Sequence, residues 1–290
     1  MAIILGTKYA PKVQERFSIG SKTDAYAGKD YDFTGVDTIK VYKIDTVSMT
    51  DYTRSGTMRY GSLTELGDTV QTMQVTKDRA FTFSIDYGNA KQQFNIKQAN
   101  ASLKRQIDEV VTPEIDNYRL TAWAKGNGLS GGFAVTTASD GALTAANIVE
   151  KIFTAAAQMS DDKVPVNNRV LFIPELTYLK FQLASIVMGG ADKATEENLR
   201  RGYKGTIDGM DVVTVPSSIW PTKAGTGLAK DINFIVKYKG ATVDPVQLRD
   251  YTIHKHPMGV RGDVVEGSII YDSFVLDTRA KGIYLSLAAT

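Results

Sequence analysis

The chain has 290 residues, 43% hydrophobic and 23% charged, which is the balance of a folded soluble protein. Thirty-four Lys and Arg against 32 Asp and Glu leave a net charge of +2, too little to argue for nucleic acid or membrane as the main partner. With no cysteine and two histidines, disulfides, thiolate nucleophiles, Cys-ligated zinc, iron–sulfur clusters and a three-His metal site within one chain are excluded, and no apolar run approaches the roughly 18 residues of a membrane span.

The opening Met1-Ala-Ile-Ile-Leu-Gly6 lacks the basic and long apolar regions of a signal peptide. Residues 1–35 are broken by Gly6, Gly20, Gly28 and Gly35, with Tyr9, Phe17, Tyr26, Tyr31 and Phe33 at no helical or strand period. This predicts an arm strapped over another surface; the alternative is a poorly ordered terminus. Next come two strand-like stretches. In Asp37–Met49, Ile39 and Val41 alternate with Lys40 and Tyr42; in Thr69–Ile85, Phe81, Phe83 and Ile85 alternate with Thr82 and Ser84. They flank a polar tip, Thr50–Asp68, longer than the 12–15 residues or so usual in a compact domain. An isolated ribbon is marginal in water, so it should lie on its own body or on another subunit.

Residues 89–125 predict a long helix with Phe94, Ala101, Ile107, Val110 and Val111 on one face. Pro113 should kink or break it, with Thr112 as cap, and Ile115, Leu120, Trp123 and Ala124 should continue it to Gly126. Residues 144–240 alternate helix and strand. Thr144 can cap a helix that buries Ile148, Ile152, Ala156 and Met159. Arg169–Ile173 is a buried strand, and Pro174 opens a helix carrying Leu176, Leu179, Phe181 and Leu183 that ends at Gly189-Gly190. Lys204–Val215 is a hairpin turned by Asp208-Gly209, and Ile232–Val236 is another strand. Tyr251–His256, Ser268–Leu276 and Gly282–Leu287 read as antiparallel strands. The class is α+β with a mixed sheet and one outlying ribbon.

Chemistry-bearing motifs are sparse. Gly126-Asn-Gly-Leu-Ser-Gly131 has dinucleotide-fingerprint letters but follows a helix and precedes a strand, so it reads as a flexible loop between lobes. His254 and His256 share a strand face without a third ligand. Arg261-Gly-Asp263 is ordinary turn chemistry, and the sequon Asn100-Ala-Ser102 lies mid-helix. Asp161-Asp162 and Glu196-Glu197 sit in turns or exposed helix, and Arg200-Arg201 with Lys204 reads as a solvated face. No catalytic, cofactor or metal residues are assigned.

Three stretches resemble one family. Lys77-Asp-Arg-Ala-Phe-Thr-Phe-Ser-Ile-Asp86 looks like the returning strand of an extended loop. Glu109-Val-Val-Thr-Pro-Glu-Ile-Asp-Asn-Tyr118 is similar to a spine helix. Val170-Leu-Phe-Ile-Pro-Glu-Leu-Thr-Tyr178, with Tyr203-Lys-Gly-Thr-Ile-Asp-Gly-Met-Asp-Val-Val213, looks like the strand–helix and hairpin of an axial lobe. Their order resembles the major capsid proteins of tailed bacteriophages, the Hong-Kong-97-like fold. The resemblance implies an N-terminal arm (1–35), an extended β-ribbon loop (36–90), a spine helix and peripheral domain (91–143) with closing strands (250–290), and an axial domain (144–249). It implies no enzyme and no cofactor. The expected role is a shell subunit forming hexamers and pentamers around double-stranded DNA, which it does not read by sequence. Portal and a separate scaffolding protein are the other expected partners, with assembly in the host bacterial cytoplasm and residence in the virion; a chain already in its mature form is the alternative to separate scaffolding. Tyr52, Arg54, Arg59 and Tyr60 have interface composition and are expected to contact the adjacent subunit. Rival readings are an encapsulin-type compartment, a tail or baseplate component, and a small-molecule enzyme on residues 144–249.

Overall fold

The structure, a computed structural model, describes residues 20–31, 37–63, 65–87, 99–188 and 203–288. Most of the arm (1–19), Phe94, Gly189-Gly190, Glu196-Glu197 and Arg200-Arg201 lie outside the described residues.

The centre of the fold is a helical spine. Helix α1 (Ala99–Gln106) runs through a π-turn (Ile107–Val111) into α2 (Thr112–Lys125) without a break. Pro113 has no N–H and its ring crowds the preceding turn. The wider turn absorbs both effects: the Thr112 N–H reaches back five residues to the Ile107 carbonyl. Thr112 therefore does not cap a second helix, as expected from sequence; it sits inside one continuous rod. The π-turn also rotates the apolar face, so Ile107 and Val111 are half-buried while Val110 is exposed. The helix stops at Gly126, whose φ of 68° is left-handed and whose N–H caps the last turn.

Around the spine lie four sheets among the described residues. The largest has six strands in the order β4 (Thr136–Ser139), β13 (Ile283–Leu287), β8 (Ile232–Tyr238), β5 (Arg169–Pro174), β7 (Met210–Val215) and β6 (Tyr203–Ile207). β5 is apolar from Val170 onward because both faces are covered. Val170 and Phe172 pack with Leu120 and Trp123 of α2. Leu171 and Ile173 pack against α3 (Ile148–Asp161), through Ile148, Ile152 and Met159, and against α4 (Glu175–Met188), through Tyr178 and Ala184. Leu176, Leu179 and Leu183 of α4 point outward. The β6–β7 hairpin turns on Asp208 and Gly209, both at positive φ as a two-residue turn requires. α3 begins at Ile148 rather than at a Thr144 cap; Thr144 instead opens a turn closed by Asn147 Oδ1. A short helix, α5 (Lys223–Thr226), connects β7 to β8.

The stretch read as one long strand, Thr69–Ile85, is two strands in different sheets. β2 (Asp68–Gln74) pairs with β1 (Thr38–Ile44) as a two-stranded ribbon. β3 (Lys77–Asp86) pairs with β11 (Gly262–Tyr271), which pairs with β10 (Val246–Lys255). This three-stranded sheet packs Ile269 and Tyr271 on Ile115 of α2. The last small sheet, β9 (Thr242–Val243) with β12 (Phe274–Val275), carries the ribbon root: Met73 is buried with Val243, Phe274 and Leu276, and Ile39 and Val41 pack beside it. The final predicted strand, β13, does not join β10 and β11. It lies antiparallel to β8 and parallel to β4.

Candidate assembly surface

Beyond β1 and β2 the ribbon extends through residues 45–63 and 65–67. Asp45 N–H still donates to the Gly67 carbonyl, and Thr53 N–H to the Arg59 carbonyl. Tyr52 and Tyr60 meet edge-to-face with ring centroids 5.0 Å apart, and Thr50 Oγ1 donates to the Tyr60 carbonyl. Arg59 Nε closes the turn on the Gly56 carbonyl. Tyr52, Arg54, Arg59 and Tyr60 are thus gathered at one exposed tip. Sequence reasoning missed their apolar company. Tyr42, Ile44, Val47, Met49, Met58, Leu63, Leu66 and Val70 are exposed too, Met49 and Leu63 completely. With the two tyrosines, ten of the 19 exposed large apolar side chains among the described residues fall within 42–70. Scattered singly in sequence they carry no periodic signal, and only the ribbon brings them together. So many exposed apolar side chains in one segment are unusual for a chain that stands alone.

The root of this ribbon is held by polar groups. Gln71 is buried between strands; its Nε2 donates to the Gly128 and Val275 carbonyls, and its Oε1 accepts from Asp277 N–H. Lys43 pairs with Asp277. Burial alone would push the Asp277 carboxyl up, but Lys43 and the Ser130 N–H hold it below the usual carboxylate range. The loop expected to be flexible, Gly126–Gly131, is pinned by these bonds and by Asn127 Nδ2 on the Ser273 carbonyl. At the β2–β3 break, Thr76 donates both its N–H and its hydroxyl to Asp272 Oδ2. Tyr118 OH donates to Asp272 Oδ1, and with burial this pushes its phenol up.

The described part of the arm, residues 20–31, lies on its own body. For these residues the expectation of a strap over another surface does not hold, and the cause is two buried carboxylates; residues 1–19 and 32–35 of the arm lie outside the described residues. Asp116, on the inner face of α2, accepts from Ser21 Oγ, Lys22 N–H and Thr23 Oγ1 at 2.6–2.7 Å. Asp244 accepts from Gly28 N–H, Thr242 Oγ1, Trp123 Nε1 and Ser273 Oγ. Opposite it, Lys237 donates to the Tyr26 carbonyl at 2.8 Å. Gly28 permits this close approach, since a Cβ there would sit 1.7 Å from the Thr242 carbonyl oxygen. Tyr26 places its ring edge on Phe172, centroids 5.8 Å apart.

The other expected residues are not brought together. His254 Nε2 is 3.3 Å from Glu266, whereas His256, at φ 51°, leaves the strand and lies against Tyr87. The positive φ turns the chain, so the two imidazoles do not share a face. Asp263 accepts from Tyr87 OH, and Asp162 pairs with Lys281. Among the described residues no group of three or more His, Asp and Glu could hold a metal ion. The larger clefts, about 450 and 530 Å³, lie on the β10–β11–β3 sheet and beneath the arm.

No family model matches the sequence, and no curated protein matches it. Solved structures do. A chain of Mycobacterium phage Che8 superposes with a TM-score of 0.72 at 13% identity, over 98% of this chain and 97% of that one. The capsid structure of Cyanophage P-SCSP1u gives 0.72 at 15%, over 99% and 94%. The mature capsid of bacteriophage PhiM1 gives 0.67 at 14%, over 99% and 92%. The likeness runs along nearly the whole length, and the chain has the Hong-Kong-97-like fold of these phage capsid structures.

Proposed function

We propose that this chain is the major capsid protein of a tailed bacteriophage, assembling as hexamers and pentamers into an icosahedral shell around double-stranded DNA. One observation carries the reading: the ribbon gathers an apolar surface that its own body leaves uncovered, in a fold whose solved examples are named as capsids. Copies of the chain would supply the missing cover, and many weak contacts per subunit suffice in a closed lattice. Tyr52, Arg54, Arg59 and Tyr60 would contact the adjacent subunit. In this reading 1–35 is the arm, 36–90 the extended loop, 91–143 with 250–290 the peripheral domain and 144–249 the axial domain, with β13 reaching across to the axial sheet. Portal and scaffolding proteins would be further partners, the host cytoplasm the place of assembly, and the virion the destination. A structural role is favoured over catalysis on residues 144–249, and a phage shell over an enzyme-holding compartment, because the structural neighbours are named as capsids.

Negative-stain imaging of the purified chain tests the proposal. Closed polyhedra are expected; a uniform monomer at high concentration overturns it. Nuclease-protected double-stranded DNA in particles from infected cells is expected, and a co-purifying enzyme cargo in its place would point to a compartment.

A further inference from the structure

Arm and ribbon root share an apolar contact, Tyr31 packing with Ile39, Val41 and Val75 on the cluster of Met73, Val243, Phe274 and Leu276, and their side-chain hydrogen bonds meet in one dipeptide. Ser273 Oγ donates to Asp244 Oδ1, the carboxylate that holds Gly28 N–H of the arm. Ser273 N–H donates to Asp272 Oδ1 at 2.8 Å, and Asp272 Oδ2 holds Thr76 at the β2–β3 break. Asp244, Asp272 and Ser273 are all buried, so water does not compete for these bonds. Trp123 Nε1 on Asp244 and Tyr118 OH on Asp272 fix both carboxylates to the same helix, α2.

We propose that Asp272-Ser273 couples the arm to the ribbon: docking of residues 20–31 on the body sets how firmly the ribbon root is held at Thr76. The physical basis is geometric. Asp244 has four side-chain or arm donors converging on two oxygens, so losing the arm's Gly28 N–H lets the carboxylate re-centre on those that remain. Ser273 follows through its hydroxyl, and its backbone N–H carries the shift to Asp272. The Asp272 carboxylate is already shared by Tyr118, Asn127, Ser273 and Thr76, and Thr76 is the only one of these on the ribbon side. The coupling stands on bonds within one chain and does not depend on shell formation.

Amide hydrogen exchange on the full chain tests it, with Thr76 N–H as reporter and Ile235 N–H, in the central sheet, as the core control. Gly28→Ala drives a Cβ into the Thr242 carbonyl and so lifts the arm off Asp244, while the side chains of Asp244 and Lys237 themselves stay unaltered. It is expected to speed exchange at Thr76 by about tenfold, within the range of linked sites, and to leave Ile235 unchanged. In a Ser273→Ala background the same Gly28→Ala change should move Thr76 by less than about twofold, because the hydrogen-bonded link is cut and only the apolar contact of Tyr31 remains. Unchanged Thr76 exchange in Gly28→Ala overturns the coupling, as does an equal effect with and without Ser273. Acceleration of the same size at Ile235 also overturns it, since the disturbance is then spread through the whole fold.

Discussion

Lys237 Nζ lies 3.6 Å from Asp244 Oδ2, with both side chains wholly buried, and 3.6 Å from the centroid of the Trp123 ring. Removing two charges from water costs several kcal/mol per ion, which the pair recovers only through good geometry and further hydrogen bonds. Here the geometry includes the arm. Tyr26 gives its carbonyl to Lys237 and Gly28 its N–H to Asp244, so two arm backbone groups complete the pair.

The first prediction concerns pH. Burial lowers the Lys237 ammonium to about 8, despite the pull of Asp244, and Arg119 and Lys239 push the same way as burial. An unfolded lysine keeps its proton to about 10.4. Between these values the unfolded chain binds more protons than the native one, so stability rises with pH. Above about 10 the trend reverses, because the buried tyrosines Tyr271 and Tyr284, pushed up to about 12, resist ionising while unfolded tyrosines do not. Urea midpoints should therefore increase from pH 8 to pH 10 and then fall. Lys237→Met should flatten the rise; a rise that persists in that variant assigns it to another group. At the acid end, Asp244 is raised by burial but lowered more by Lys237, Arg119, Ser273 and Trp123, and its stabilisation should disappear as pH falls below the ordinary carboxylate range.

Asp116 should control the arm. Three donors of residues 21–23 converge on its carboxylate, and hydrogen bonds to charged groups contribute about 1.5–3 kcal/mol each, not additively. Asp116→Ala should free this segment at a cost of roughly 3 kcal/mol, and the Arg119 hydrogen bonds to Thr23 and Asp24 should go with it. Limited proteolysis should then cut within 20–31 while the six-stranded sheet stays protected. Equal protection of the arm in both proteins would remove Asp116 from this role.

Gly267 lets two rings lie over the β11 backbone. A Cβ there would meet Phe81 at 2.5 Å and Tyr251 at 2.7 Å, and those rings stack with centroids 6.1 Å apart. Gly267→Ala should destabilise by about 1–3 kcal/mol through this overpacking. Phe81→Ala removes most of the clash, so the double variant should lose less than the sum of the two singles. Strict additivity in urea unfolding would mean that the rings simply move aside.

How much of this was legible in the sequence follows from the range of each interaction. The apolar run Val170–Ile173 of β5, the 3.6-residue face of α3 and the Asp208-Gly209 hairpin are local patterns, and they were readable. The break at Val75-Thr76 was not, because alternation continues across it. What divides β2 from β3 is the carboxylate of Asp272, 196 residues away in sequence. Nothing in the local pattern marks Lys237 or Asp116 as buried, since a single charged residue on an inward face looks like noise until its partner is known. The pairing of β13 was hidden for the same reason: a short apolar strand states its conformation and not its neighbour. At the ribbon tip the Tyr and Arg composition was readable, but the exposure of Val47, Met49, Met58 and Leu63 became visible only in three dimensions.

The tip offers the sharpest separation of folding from assembly. Met49 and Leu63 are fully exposed, so exchanging both for serine should leave urea unfolding of the monomer within about 0.5 kcal/mol of the parent. In a subunit contact each would bury a side chain worth about 1.5–3 kcal/mol, repeated at every neighbour around a shell. Met49→Ser with Leu63→Ser should therefore abolish closed particles in sedimentation velocity at concentrations where the parent assembles. Reversing charge with Arg54→Glu and Arg59→Glu should slow assembly and shift its salt dependence, because charged contacts steer encounter more than they set final affinity. If the serine pair assembles like the parent while its monomer is equally stable, the apolar tip is not the contact, and the covering surface must be sought elsewhere, the outward leucines Leu176, Leu179 and Leu183 of α4 being the next to change.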